Sequence, residues 1–205
     1  MAARSRKVGA PAGREVGRNG VDLRRRLLDA ARRQLVQHGY AHLTMRRVAA
    51  RVGVTATAIY LHFKDKDDLI HALIDEGMEA LHLALEASDV RTASPRARLE
   101  SLSRALIAFG LANPEYYEIM FLQHPERMSR FPADMYRRAR RNLERFGEAV
   151  EPFVKEGDPM LATHALWCLL HGTISLRLSG RLDASLDPDR FTDEAVIRGL
   201  RMLGA

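Results

Sequence analysis

Two short helical patterns joined at a single glycine limit what the N-terminal third of this chain can fold into. In TMRRVAARVGVTATAIYLHF, residues 44–63, apolar positions repeat at helical spacing before Gly53 and again after it. A helix of two turns is unstable alone because nucleation is costly, so both helices must pack on their neighbours. Gly53 can take the positive φ that a sharp turn needs. This pattern predicts a helix-turn-helix, a motif whose second helix enters the major groove of DNA.

Helical spacing continues through the rest of the chain, and no segment shows the alternation typical of a strand. We expect a first helix from about residue 21 to Gly39, with Asp22 as its N-cap. Asp-Pro pairs at 158–159 and 187–188 predict the starts of two later helices. The sequence therefore predicts an all-α fold in three segments: a disordered basic arm over residues 1–20, a three-helix domain over 21–68 and a larger helical domain over 69–205.

Positive charge is concentrated in the N-terminal third. The chain carries a formal charge of +6, but residues 1–70 hold 15 Lys and Arg against six Asp and Glu, a net +9. Residues 71–205 hold 17 against 20, a net −3. A basic segment of this kind favours a polyanionic partner, either nucleic acid or an anionic membrane surface, although an Arg-rich face can also be merely solvated.

Cysteine usage and hydropathy indicate where the protein acts. The single cysteine, Cys168, excludes an intramolecular disulfide and is typical of a reducing compartment. No apolar run reaches the roughly 18 residues that cross a membrane, and residues 1–20 lack the apolar core of a secretory signal. We therefore expect a cytoplasmic protein with no membrane partner. No phosphate-binding loop or dinucleotide fingerprint appears, so we expect no cofactor.

The outward side chains of the third predicted helix are suited to contact base edges. With Ile59 turned inward, Thr55, Ala56, Thr57 and Tyr60 face outward near the helix N-terminus. Short side chains let the backbone approach the groove, and threonine or alanine methyl groups can contact the methyl group of thymine.

Residues outside that helix supply further candidate DNA contacts. Arg46 could bond a guanine through two hydrogen bonds. Thr44 and Tyr60 are expected to contact phosphates, which set register rather than sequence. Lys66 begins the fourth helix, where exposed N–H groups and an ammonium can hold one phosphate together. Thr44 and Thr55 are also expected N-caps, so any DNA contact they make is additional.

One motif runs through these residues: Thr44…Ala49-x3-Gly53-Val54…Ile59-Tyr60-x-His62-Phe63-x2-Lys66-x2-Leu69. It resembles the DNA-binding domain of TetR-family transcriptional regulators over residues 22–69. The resemblance implies a homodimer with a three-helix DNA-binding domain and a variable helical domain for ligand binding and dimerisation. It implies a sequence-specific regulator of a palindromic operator rather than an enzyme, in most members a repressor released by a small-molecule ligand.

The resemblance also implies roles for single residues. Arg46, Ala56 and Thr57 match positions that contact bases in the family, and Tyr60 and Lys66 match positions that contact phosphates. The candidate DNA-binding residues are therefore Thr44, Arg46, Thr55, Ala56, Thr57, Tyr60, His62 of the same motif, and Lys66.

A second resemblance lies near the C-terminus. WCLLHGTISL, with Trp167, His171 and Gly172, resembles a TetR subgroup with a Trp-x3-His-Gly signature, and NPEYYEIMF at residues 113–121 fits that subgroup. Aromatic and methionine side chains adapt to apolar ligands, although each could instead be ordinary core. The candidate ligand-binding residues are Phe109, Tyr116, Tyr117, Met120, Phe121, Met135, Tyr136, Trp167 and His171.

Small and apolar residues recur along the last two predicted helices, over about 159–179 and 188–203. Such spacing allows close helix approach, and the family resemblance places the dimer interface there, although an intrachain core is the alternative. The candidate interface residues are Ala165, Gly172, Ser179, Phe191, Ala195, Gly199 and Leu203. A dimer would hold two DNA-binding helices about one turn of DNA, ~34 Å, apart or a multiple of that distance.

Two other classes of function stay open on the residues alone. His164, Cys168 and His171 share one helix face, a spacing compatible with a nucleophile and its base or with metal ligands. No fourth ligand or orienting acid is evident, so we expect no enzyme and no metal site. An architectural DNA-binding protein is the second alternative, although some 135 residues beyond the helix-turn-helix exceed what dimerisation needs.

Overall fold

A computed structural model describes the backbone of residues 15–122 and 133–204 and the side chains of residues 22–121 and 140–204. Throughout these ranges every regular element is helical, which confirms the predicted all-α fold. The chain divides into two compact units, Met1–Leu69 and Ile70–Ala205. Residues 1–14 of the predicted basic arm lie outside the described residues.

The first unit contains three helices. They are α1 (Glu15–His38), α2 (Met45–Val52) and α3 (Ala56–Ile59), with a 3-10 turn at Tyr40–His42 between the first two. The predicted start of α1 at residue 21 is wrong, because residues 15–20 are helical rather than part of an arm, and Asp22 is not an N-cap. Once a buried face anchors a helix, each further residue gains one hydrogen bond for the two dihedral angles that it fixes, which allows the longer helix.

The core of the first unit forms where α1 and α3 both pack on α2. Leu27 and Leu35 from α1, Val48 from α2, and Ile59 and Phe63 from α3 and the turn after it are fully buried. Each large apolar side chain contributes about 1.5–3 kcal/mol when buried. Since α3 is about one turn long, its position depends on this packing rather than on helix propensity.

The second unit is built from the longer helices. They are α4 (Lys66–Ser88), α5 (Pro95–Ala112), α6 (Pro114–Tyr117) followed by a π-helical turn (Glu118–Leu122), α7 (Ala133–Val150) followed by a 3-10 turn (Glu151–Phe153), α8 (Pro159–Leu178) and α9 (Pro188–Met202). α4 begins in the first unit and continues into the second. Asp158 and Asp187 cap α8 and α9 through bonds from backbone N–H groups, as the Asp-Pro pairs predict.

Glycines permit close helix approach at several places in the second unit, among them Gly77 and Gly199. A Cβ on Gly77 of α4 would lie 2.7 Å from the Sδ of Met120 and 2.8 Å from a ring carbon of Tyr116. A Cβ on Gly199 of α9 would lie 2.7 Å from the Cδ1 of Leu166 on α8. Contacts this short do not occur between real side chains, so both positions favour a hydrogen atom as the side chain.

The buried carboxylate of Asp89, directly after α4, bonds arginines of α5 and α7. Asp89, whose side chain is 2% exposed, accepts hydrogen bonds from Nε (2.6 Å) and Nη2 (3.2 Å) of Arg98 and from Nη1 of Arg145 (3.1 Å). Arg91 lies 3.2 Å away and also bonds the half-exposed Glu148. Burial alone would raise the pKa of Asp89, but the hydrogen bond and charge of Arg98, with the charges of Arg91 and Arg145, lower that pKa. Asp89 is therefore ionised at neutral pH.

Candidate nucleic-acid interface and ligand cavity

The turn between α2 and α3 has the geometry that the sequence predicts. Gly53 has φ 77° and ψ 29°, in the left-handed region, and the N–H of Val54 bonds the carbonyl of Ala49 at 3.1 Å. The hydroxyl of Thr44 accepts from the N–H of Arg47 at 3.3 Å, and that of Thr55 accepts from Ala58 at 3.2 Å. Both threonines are N-caps, so each helix of the pair begins at a defined residue.

The turn leaves one face of α3 exposed. Thr55, Ala56 and Thr57 are exposed, Tyr60 is 54% exposed, and Ile59 points into the core. This is the orientation that the spacing predicts. The exposed edge lies at the N-terminal end of the helix, where a helix-turn-helix contacts base edges.

The arginines around α2 differ in how they are held. Arg47 donates to the carbonyl of His42 at 3.1 Å, Arg51 donates to the side chain of Gln37 at 3.0 Å, and Arg26 donates to the carbonyl of Val52 at 3.2 Å. Arg46 is exposed, and across the described part of the chain no hydrogen bond or ion pair engages its guanidinium. Arg46 is therefore the arginine of this set that can reach outward without breaking an internal bond.

Lys66 is held more tightly than the sequence indicates. Its Nζ lies 4.1 Å from the ring centroid of Tyr40 and 3.5 Å from the carbonyl oxygen of Tyr40. The side chain is half-buried, as is that of His62. The cation–π contact fixes the ammonium at the start of α4, and its contact with a phosphate stays a prediction.

Leu61 is a surface residue that sequence reasoning missed. Its side chain is 82% exposed, directly after α3 in the turn that precedes Phe63. It lies four residues after Thr57, and side chains at that spacing share a helical face. The spacing could have identified it, but the short pattern assigned outward positions only up to Tyr60.

A cavity of about 270 Å³ lies within the second unit, between α4, the π-helical turn, α7 and α8. Its apolar walls are Met78, Leu81, Phe121, Leu143 and Trp167. Its polar lining residues are Arg140, Asn142 and His164. Two of the predicted ligand residues, Phe121 and Trp167, therefore line the cavity.

The other predicted ligand residues have different surroundings. Phe109, Tyr116 and Met120 are buried and do not line this cavity. Tyr116 donates its hydroxyl to Glu76 at 2.6 Å. The side chains of Met135 and Tyr136 lie outside the described residues.

Tyr117 and His171 form a partly buried hydrogen bond that connects the two signature segments. The Tyr117 hydroxyl lies 2.6 Å from the Nδ1 of His171. Burial raises the pKa of Tyr117 and lowers the pKa of His171, so a neutral Tyr117 donates to a neutral His171. Phe121 packs 4.8 Å from the ring of Tyr117 and 6.1 Å from that of Trp167. The signature residues thus form one aromatic cluster beside the cavity.

The predicted interface residues separate into two groups. Ala165 and Ser179 are exposed, and Gly172, Phe191 and Leu203 are half-exposed. Ala195 and Gly199 are instead buried within the protomer, Gly199 against Leu166. The contact of Gly199 with Leu166 on α8 explains its small size, and Ala195 is 5% exposed, so we remove both from the predicted interface.

The three residues considered for catalysis or metal binding are engaged separately. Nδ1 of His164 donates to the carbonyl of Met160 at 2.8 Å, Cys168 is exposed, and His171 accepts from Tyr117. Among the residues whose side chains are described, no three His, Cys, Asp or Glu are grouped to hold a metal. No helix over residues 15–122 and 133–204 has the length and hydropathy of a membrane span.

Two family profiles match the chain. The profile of bacterial regulatory proteins of the tetR family matches residues 27–73, which include the helix-turn-helix. The profile of the tetracyclin repressor-like C-terminal domain matches residues 99–198, which run from the first turn of α5 through most of α9.

Individual proteins are similar to this chain in sequence or in fold. The HTH-type transcriptional repressor Rv1474c of Mycobacterium tuberculosis is 43% identical over 58 residues, 28% of this chain and 31% of that repressor. A protein of unknown function from Rhodococcus sp. RHA1 superposes with a TM-score of 0.77 at 26% identity, over 89% of this chain and 96% of that one. RolR, in a complex with the ligand resorcinol, superposes with a TM-score of 0.66 at 17% identity, over 92% and 91%.

The match to Rv1474c covers less than a third of that repressor, so it bears on the DNA-binding segment alone. RolR shares the fold. The two profiles match a segment in each compact unit, residues 27–73 and 99–198, and the first segment includes the exposed face of α3. The chain is therefore a member of the TetR family of bacterial transcriptional regulators.

Proposed function

We propose that the protein is a sequence-specific repressor that binds a palindromic operator as a homodimer and leaves it when a small molecule binds. The observation that carries this proposal is the exposed edge of α3, Thr55 to Thr57 with Tyr60, held outward by the turn at Gly53. A DNA-binding regulator acts where the DNA is, so we place it in the cytoplasm, with no catalytic role.

The proposed DNA contacts follow from exposure. Ala56, Thr57 and Leu61 offer methyl groups to thymine, and Arg46 offers a planar pair of N–H donors to guanine. These contacts set sequence preference.

A second group of contacts sets register. Thr44, Thr55, Tyr60 and Lys66 hold phosphates, with His62 beside them. Each phosphate that a cation neutralises adds salt-dependent affinity that is independent of sequence.

The proposed homodimer interface lies on α8. Ala165, Gly172 and the C-cap residue Ser179 lie seven residues apart along it, and the exposed Leu161 and Leu176 lie close to the same stripe. Exposed apolar side chains such as Leu161 and Leu176 are stabilised when a second copy of the chain covers them. Phe191 and Leu203 of α9 remain in the proposed interface.

Ligand control is proposed through α4. Met78 and Leu81 of α4 line the cavity, and the same helix begins at Lys66 in the DNA-binding unit. A ligand that shifts α4 would alter the spacing of two DNA-binding helices without touching DNA. By linkage, operator DNA must then weaken ligand binding by the same factor. RolR, a relative in fold, is known with resorcinol bound.

We also assign the C-terminal half to the subgroup with the Trp-x3-His-Gly signature. The hydrogen bond between Tyr117 and His171 supports this assignment, because it gives a physical reason for the two segments to occur together. The remaining ligand candidates, Phe109, Tyr116 and Met120, would act by supporting the cavity wall.

The test is binding of the purified protein to the region upstream of its own gene and to a scrambled duplex of equal composition at matched salt. A regulator should prefer the specific duplex by ~10³ or more. Equal affinity for both would favour an architectural protein and refute the proposal.

A further inference from the structure

We propose that the cavity beside Trp167 binds a small molecule with an apolar body and one carboxylate group. This inference rests on the ligand-responsive role proposed above and names the chemical class of the ligand. It follows from the polar groups that line the cavity and from how each of them is already bonded.

The walls require an apolar body. Met78, Leu81 and Leu143 are aliphatic or thioether side chains, and the rings of Phe121 and Trp167 meet at 62°. Tilted rings of this kind pack well on a third aromatic or a branched aliphatic group. A ligand without apolar surface would gain little from these five residues.

Arg140 supplies the charged group of the cavity. Its Nε donates to Glu144 at 2.9 Å, one turn further along α7. A guanidinium has five N–H donors, and that bond uses one of them. The four N–H groups on the terminal nitrogens remain in a planar fork, which matches the two oxygens of a carboxylate.

Of the other two polar lining residues, Asn142 retains a donor, and His164 can act as an acceptor or a donor. The amide of Asn142 is held by Nδ1 of His82 at 3.2 Å and donates to the carbonyl of Met78 at 3.1 Å, which leaves it one N–H. His164 donates through Nδ1 to Met160, so its Nε2 accepts when neutral and donates when protonated.

The charge of the lining therefore favours one class of ligand. Among the described residues, no carboxylate lines the cavity. An ammonium group would meet the cation of Arg140, whose partner Glu144 does not line the cavity, whereas a carboxylate would find N–H donors on Arg140 and Asn142. This arrangement selects against cationic molecules and favours acids over neutral analogues of the same shape.

The chain provides its own probe, because Trp167 is its single tryptophan and lines the cavity. Titrations of Trp167 fluorescence in the full-length protein compare 3-phenylpropanoate, 3-phenylpropanamide and 3-phenylpropylamine, which share one body. We expect the acid to bind roughly tenfold or more tightly than the amide, because hydrogen bonds to a charged group exceed neutral ones. The amine should bind most weakly.

Arg140→Gln should abolish the preference for acid over amide while retaining binding of the amide. Arg141→Gln is the matched control, since it removes the same charge from the next position of α7, where the side chain bonds Glu79 at 2.7 Å and does not line the cavity. That variant should keep the full preference. Equal binding of amide or amine, a preference that survives Arg140→Gln, or no fluorescence change with any probe at millimolar concentration would overturn the inference.

Operator release is measured separately. If the acid binds as expected but the operator stays bound, the ligand class stands and ligand-driven release fails. If amines or neutral compounds displace the operator and acids do not, release stands and the ligand class is wrong.

Discussion

Gly53→Ala tests whether backbone conformation, rather than side-chain packing, sets the turn that exposes α3. Gly53 has φ 77°, and a Cβ built there meets no heavy atom within 4 Å. The substitution therefore introduces no clash with neighbours and acts through the backbone alone. An L residue in the left-handed region costs about 1–2 kcal/mol, so the free energy of unfolding of the first unit should fall by that amount. Gly53→Asn should cost less, because Asn enters this region more readily than Ala.

Hydrogen exchange of the backbone amides of residues 44–63 measures this loss locally, and urea unfolding followed by far-UV circular dichroism measures it globally. Gly147→Ala in α7 is the control, because Gly147 does not have positive φ and its nearest atom, on Met160, is at an ordinary 3.7 Å. That change should be neutral or stabilising by about 0.5–1 kcal/mol. Equal losses for Gly53→Ala and Gly53→Asn, or no loss for either, would refute the requirement for positive φ.

Three further predictions, one of them with a control substitution, concern the charge network and the DNA contacts. Asp89→Asn should lower the free energy of unfolding by about 3–5 kcal/mol at pH 7, because it leaves the mostly buried Arg98 without its buried carboxylate partner. Glu148→Gln, at a half-exposed acid that bonds the same arginine, should cost under about 1 kcal/mol. The lowered pKa of Asp89 makes its contribution complete above the pH at which an unfolded Asp titrates, and the contribution is lost as pH falls through the folded pKa. Wild type and Asp89→Asn should therefore converge in urea titrations carried from pH 7 into acid; a gap that stays constant would contradict the assignment. Lys66→Ala should weaken binding to all duplexes alike and flatten the slope of log affinity against log salt by about one unit, and an unchanged slope would reject the phosphate contact. Leu61→Ala should reduce the penalty for replacing thymine by uracil in a selected duplex, since the two bases differ by the methyl group; equal penalties in both proteins would exclude that contact.

The helix-turn-helix could be predicted from sequence because its determinants are local. The hydroxyls of Thr44 and Thr55 each accept a hydrogen bond from the N–H three residues later, and the positive φ belongs to Gly53 alone. The Asp-Pro starts of α8 and α9 are local in the same sense. Such signals survive in any fold that keeps the segment helical, and they set the start of α3, while the burial of Ile59 and Phe63 turns its other edge outward.

The features that sequence reasoning missed depend on residues distant in the chain. Spacing cannot tell that Gly199 packs on Leu166 rather than on a second copy, since both arrangements require a small residue. The cavity draws its lining from four elements, so neither Arg140 nor Asn142 carries a local sign of it. Helix periodicity also gives no limit for the start of α1, because extension beyond the packed face leaves the apolar pattern unchanged.

The contact of Gly77 with Tyr116 and Met120 has a consequence for how regulators of this kind diverge. Gly77 immediately precedes Met78, which lines the cavity. A methyl group at Gly77 would nevertheless displace the ring of Tyr116. Changes in ligand specificity should therefore arise by substitution of cavity residues such as Leu143. Substitution of Gly77 by a larger residue would instead displace Tyr116 or Met120 and change the shape of the cavity. Ligand specificity in related proteins would then evolve while the glycine at this position of α4 is retained.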